Sequence, residues 1–136
     1  MAQILFIIGS LIFGLLGTMH LIYTFFSNKF DPRNIEVKLA LENTYPIISN
    51  ETSMWRSLVG FHVSHSVGAI LVALFFIPLS VFYNEVLQNS LWFSLLPTAI
   101  GFCYLILAKK YWFKRPLIGI SLATLFFLGS SVFYNL

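Results

Sequence analysis

Apolar positions in this chain come in long unbroken runs, and the polar positions are gathered between the runs rather than interleaved with them. The runs cover about residues 4–26, 57–82, 91–108 and 117–134. None of them keeps the strict alternation of a half-buried strand. A helix rising ~1.5 Å per residue needs about 20 residues to cross the ~30 Å hydrocarbon layer of a bilayer, so runs of this length read as spanning helices. The pattern predicts an all-α fold, an integral membrane four-helix bundle that forms one domain over residues 1–136. The first run has no basic stretch ahead of it and no small-x-small cleavage site after it. It is therefore expected to be retained as a helix rather than removed as a secretory signal.

The polar segments carry their own signals. Between the first two runs, Asp31 followed by Pro32 forms a helix start, with a capping side chain and then proline at the first helical position. Ile35 and Leu39 there separate from Glu36, Lys38 and Glu42, which predicts a short interfacial helix from about Pro32 to Asn43 lying flat on the membrane. Tyr45-Pro46 then breaks the chain, and Thr52 or Ser53 is placed to cap the second span. Residues 83–90 read as a plain loop.

Charge adds direction. All eight Lys and Arg residues fall in or beside two connections, Lys29, Arg33, Lys38 and Arg56 in the first and Lys109, Lys110, Lys114 and Arg115 in the third. Basic residues are retained on the cytoplasmic side, so the chain is expected to be a multi-pass membrane protein, N-out and C-out, whose interfacial helix lies in the first cytoplasmic loop. Trp55, Tyr111 and Trp112 would form the inner aromatic belt, and Tyr83, Trp92 and Tyr134 the outer one. Asn50-Glu51-Thr52 matches a glycosylation sequon, but in a cytoplasmic loop it is read as fortuitous.

Composition narrows the class further. With 58% hydrophobic and 10% charged residues, the chain lies far from soluble domains, where about a quarter of residues are charged. Its partner is the lipid bilayer, and no nucleic acid is expected. No Asp or Glu lies within a span, so a small multidrug exporter would lack its proton-coupling carboxylate. The two halves share no repeat, which leaves an inverted-repeat transporter unsupported. Cys103 is alone, so no disulfide forms within the chain, and it is expected to be a buried small residue. Spans should pack where small residues let backbones approach, along Gly60, Ser64 and Gly68, along Ser10, Gly14 and Gly17, and at Gly119 and Ala123. Pro78 and Pro97 are expected to bend their helices. Oligomeric state is not encoded in these patterns.

Intramembrane ionisable groups are costly and are site candidates by default. The three histidines, His20, His62 and His65, lie roughly 9–14 Å inside the cytoplasmic ends of the first two spans at ~1.5 Å per residue. His62 and His65 project within about 60° of each other on a face shared with Ser66, Ala69 and Ala73. Several uses of these imidazoles stay open. His20, His62 and His65 could bind a transition metal with a coordination position left open. Haem could be held by His20 with His62 or His65. An acid–base site for a lipophilic substrate would have Tyr23, Trp55 and Arg56 at its edge. The histidines could also simply join helices through hydrogen bonds, each worth roughly 0.6–2 kcal/mol. No catalytic residue is assigned. The leading expectation is a lipid-like ligand or cofactor bound near the cytoplasmic face, and the alternative is an accessory or structural membrane subunit without chemistry.

The segments His20-Leu21-Ile22-Tyr23-Thr24-Phe25, Lys29-Phe30-Asp31-Pro32-Arg33, Met54-Trp55-Arg56 and Gly60-Phe61-His62-Val63-Ser64-His65-Ser66 resemble a small family of uncharacterised bacterial four-helix membrane proteins. That family carries H-L-x-Y-T-F, K-F-x-P-R, M-W-x-x-x-x-G-F and S-H-S elements, and Tyr111-Trp112-Phe113 also fits it. The resemblance covers the whole chain and brings no established activity with it. In that family Asn more often stands at the place of His62, which implies that a three-histidine metal site is not a family property. The candidate ligand-binding set becomes His20, Tyr23, Thr24, Lys29, Arg33, Trp55, Arg56, His62 and His65, with His20 and His65 at its centre. These residues line the inner mouth of the bundle, where basic side chains could hold an anionic head group while the spans hold an apolar tail. In architecture the chain is also similar to DoxX-like four-helix proteins, but a shared architecture carries no redox function across.

Overall fold

A computed structural model describes residues 1–136. The protein is all-α, with helices α1 (Ala2–Phe26), α2 (Ile35–Asn43), α3 (Met54–Phe82), α4 (Asn84–Asn89), α5 (Leu91–Tyr111) and α6 (Lys114–Asn135). Four of them, α1, α3, α5 and α6, are long and apolar enough to cross a membrane. Each span begins or ends a few residues beyond its apolar run. Helix α3 starts at Met54, where the Ser53 hydroxyl accepts from the Arg56 amide at 3.3 Å and caps it. Helix α5 continues through Lys109 and Lys110 in its last turn, where cations suit the negative end of the helix dipole. Pro116 lies in the first turn of α6, where a missing amide costs little. The helices run uninterrupted through Pro78 and Pro97.

The chain divides into two compact units, Met1–Leu16 with Ala69–Leu136, and Gly17–Gly68. In the first unit, the N-terminal part of α1 packs against all three other long helices. Phe6 meets Phe76 of α3 edge-on with ring centroids 5.5 Å apart, and Phe13 meets Tyr104 of α5 at 5.2 Å. Phe127 of α6 lies 5.8 Å from both Phe6 and Phe13. Edge-to-face aromatic pairs of this kind add about 0.5–1.5 kcal/mol each beyond the area they bury. Small residues set the approach distances. A Cβ added at Gly14 would meet that of Ala73 at 2.7 Å, and one at Gly119 would meet the Leu16 side chain at 2.9 Å.

Several polar side chains in this unit bond across helices. The Thr98 hydroxyl donates to Ser131 Oγ at 2.8 Å, since Ser131 itself donates to the Ser94 carbonyl at 2.5 Å. Asn135 donates to Ser94 Oγ at 3.0 Å, so α5 and α6 share a closed set of bonds. The Ser130 hydroxyl reaches the Ala2 carbonyl at 2.9 Å, and Gln3 reaches the Ser80 carbonyl at 2.6 Å. Helix α4, where a plain loop was expected, buries Leu87 against Phe6 and Phe76, and its Asn84 accepts from Tyr134.

The second unit holds the C-terminal part of α1, the first connection with α2, and the N-terminal part of α3. The expected cap of α2 is corrected here. The helix begins at Ile35 and Asn34 caps it, with its side-chain oxygen accepting from the Glu36 amide at 2.9 Å. Asp31 instead accepts from Lys38 at 2.8 Å. The expected packing stripe on α3 is corrected as well. Gly60 has no heavy atom within 4 Å of where a Cβ would sit, and Ser64 is exposed. Cys103, expected to be buried, is exposed.

These contrasts predict opposite outcomes for two glycine substitutions. A Cβ at Gly101 would lie 2.7 Å from Thr124 Oγ1, and Thr124 is buried with its hydroxyl donating to the Ile120 carbonyl. Thr124 cannot turn aside without losing that bond, so Gly101→Ala should cost about 1–3 kcal/mol by overpacking. Gly60→Ala should leave stability unchanged or raise it by up to ~1 kcal/mol, the helix-propensity gain. Thermal unfolding in detergent monitored by circular dichroism checks the order of the two.

Candidate functional site

Helix α1 presents His20 and α3 presents His62 and His65, all within the second unit. Ser66, Ala69 and Ala73, which share the α3 histidine face, are buried as the projection expects. His20 Nε2 and His62 Nδ1 are 3.0 Å apart, a direct hydrogen bond between the two spans. The rings of His20 and His62 lie 5.1 Å apart, and that of His65 stands edge-on to His20 at 5.3 Å. All three imidazoles are half-buried.

The hydrogen bond constrains the chemistry of the pair. One imidazole must donate and the other accept, so in either tautomer arrangement the two remaining nitrogens are one donor and one acceptor. Those roles exchange only when the shared proton crosses while the outer donor nitrogen releases a proton and the outer acceptor nitrogen takes one up, so that both rings stay neutral. A neutral pair of this kind can give a proton at one end and take one at the other.

Phe30, from the connection after α1, covers the pair. Its ring stacks on His62 at 4.7 Å with 19° between the planes and lies 4.4 Å from His20. Sequence reasoning missed this residue, because an aromatic side chain in an interfacial loop reads as a membrane anchor. Only the fold of the connection brings Phe30 back over the spans, and the sole local signal is its place between Lys29 and Asp31.

The other expected residues are engaged elsewhere. Lys29 Nζ sits 3.6 Å above the centre of the Tyr23 ring, a cation–π contact. The Thr24 hydroxyl turns back to the His20 carbonyl at 2.8 Å. Lys38 Nζ lies 5.0 Å from the Trp55 ring centre while paired to Asp31. That hydrogen bond to Asp31 raises the Lys38 pKa, so the pairing holds through the neutral range and is lost as pH rises beyond the ordinary lysine value of 10.5. Arg33 and Arg56 are exposed and take part in no ion pair.

The arrangement also bears on cofactors. No group of three or more His, Cys, Asp or Glu side chains is placed to hold a metal ion, His20, His62 and His65 included. Haem does not fit between His20 and His62. Imidazole–metal bonds of about 2 Å would set axial nitrogens about 4 Å apart on opposite sides of a macrocycle, whereas these are 3.0 Å apart and bonded to each other. The edge-on contact of His65 with His20 leaves no slot for a macrocycle either.

Compared with protein-family models, with curated proteins and with solved structures, the chain finds no match. The protein is a polytopic membrane protein by its four apolar spans.

The cover over the pair is testable by chemical modification. Phe30→Ala should let diethyl pyrocarbonate, a small lipophilic reagent, modify His20 and His62 several-fold faster than in the parent, as read by peptide mass spectrometry. Unchanged rates at both residues would mean that the phenyl ring does not shield them.

Proposed function

We propose that the protein binds or acts on a lipid-like molecule at the His20–His62–His65 cluster, with Phe30 as its cover. The observation that carries this reading is the direct His20–His62 hydrogen bond within spanning helices, with a third imidazole in ring contact. Three titratable rings at one level are costly in a membrane and are seldom kept there without use. The pair offers one donor and one acceptor nitrogen, which suits a hydroxyl, carbonyl or carboxyl group at the end of an apolar molecule. Arg33 and Arg56, which have no carboxylate partner, supply positive charge on the same connection side for an anionic head group. The resemblance to bacterial four-helix membrane proteins and the distribution of basic residues support a multi-pass location in a bacterial cytoplasmic membrane, with this site toward the cytoplasm.

A second reading is favoured by the same bond. A hydrogen bond between α1 and α3 contributes about 0.6–2 kcal/mol to their association and needs no ligand. An accessory or structural subunit would use it in that way alone.

The two readings part on three variants, His20→Gln, His62→Gln and His65→Gln. Under the site reading, lipid extracts of the purified protein contain a stoichiometric lipophilic molecule by mass spectrometry. That molecule is lost in the variants while the thermal midpoint stays close to that of the parent. A parent that carries no such molecule, with variants that only assemble or unfold worse, would leave the structural reading in its place.

A further inference from the structure

The segment between α2 and α3 carries a second feature, independent of the histidines. Its ends are tied together, since the Met54 amide donates to the Thr44 carbonyl at 2.8 Å. A turn closes its tip, with the Ser49 amide donating to the Pro46 carbonyl at 3.2 Å and the Glu51 amide to Ser49 Oγ at 3.1 Å. Both ends of this loop are therefore pinned at the first residue of a helix long and apolar enough to span a bilayer. At the tip stand Ile47 and Ile48, 108% and 93% exposed. Apart from the terminal Leu136, no other large apolar side chain is as exposed as these two. Neighbouring Tyr45 and the exposed Ile35, Val37 and Leu39 of α2 extend the apolar surface of the same connection.

Charge separates two ways in which such a loop could hold a membrane. The connection carries three basic residues, Lys29, Arg33 and Lys38, and four acidic ones, Asp31, Glu36, Glu42 and Glu51, and with Arg56 in the first turn of α3 the net charge is zero. Lys38 is further neutralised by Asp31. Attraction to anionic head groups scales with surplus positive charge near the surface, and here there is none. Two adjacent branched aliphatic side chains at a rigid tip instead favour the acyl-chain boundary. We propose that Ile47 and Ile48 form a wedge inserted among the acyl chains of the leaflet that this loop faces, held by apolar burial and not by head-group charge.

The test uses the full chain reconstituted in vesicles, with an environment-sensitive nitrobenzoxadiazole label on Ile48→Cys in a Cys103→Ser background. The same label on Ile47→Cys reports independently, and on Glu51→Cys it provides an aqueous reference. At 47 and 48 the emission should be blue-shifted from that at 51. It should be quenched by lipid-borne nitroxide near the glycerol backbone and protected from iodide supplied on both sides. The result should be the same in phosphatidylcholine alone and mixed with phosphatidylglycerol. Iodide access equal to that at 51 would overturn the proposal by placing the tip in water. Shielding from both quenchers would overturn it in favour of a protein contact. Insertion only with phosphatidylglycerol would overturn the apolar mode of attachment.

Discussion

Inside a bilayer no water is at hand for a polar group, so a hydroxyl, amide or imidazole in a span must find its partner within the protein. Most polar features of this chain follow from that constraint. Five hydroxyls turn back to the carbonyl four residues earlier on their own helix, Ser10, Thr24, Ser66, Ser121 and Thr124, and Ser27 does the same just past the end of α1. Ser64 and Ser94 turn back three residues instead, and others link different helices, as Ser130 does to Ala2 and Ser131 to Ser94. Ser80 Oγ is the one buried side-chain polar atom left without a hydrogen bond. Where lipid offers no hydrophobic drive for helices to associate, such bonds and close small-residue contacts specify which faces meet.

The histidines obey the same constraint in a different way. An imidazole is too long to fold back on its own turn as serine does, and no carboxylate lies in any span to receive it. His20 and His62 satisfy each other, which explains how two costly side chains coexist at one depth. The bond uses one nitrogen of each ring, and no three such side chains are placed together to hold a metal ion. What remains is a directly hydrogen-bonded pair of imidazoles beneath an aromatic cover.

Much of this was legible in the chain because membrane spans are read from bulk apolarity, which is local. The four spans fall within a few residues of their apolar runs, and the helices overshoot because the ladder of backbone bonds continues past the last apolar side chain, as at Lys109–Tyr111. The face of α3 that carries Ser66, Ala69 and Ala73 was likewise legible, since helical projection is a property of the helix alone. What could not be read was the choice between equivalent partners. Asp31 and Asn34 are both good caps, and the choice turned on Lys38 reaching Asp31 one turn into α2. Gly60 and Gly14 look alike as packing residues, yet only Gly14 meets a neighbour, because a small-residue stripe says that a close approach is tolerated and not that a helix is there. Helix α4 escaped because six residues with polar ends carry no periodicity to detect.

Tyr23, Trp55 and Lys29 were expected at the edge of the histidine site, near the interface, where a cation and an aromatic ring can satisfy each other. The Lys29–Tyr23 and Lys38–Trp55 contacts do so. With those cations occupied, Arg33 and Arg56 are the basic residues in or beside the connection left outside an ion pair or a ring contact, and a row of exposed aliphatic side chains forms the rest of its surface. Its loop tip can then meet lipid through Ile47 and Ile48 while its opposite end folds Phe30 over His20 and His62. A single connection with no surplus positive charge thus serves two ends, one turned to the acyl chains and one to the imidazoles. It needs neither surplus head-group charge nor a bound cation to hold either position.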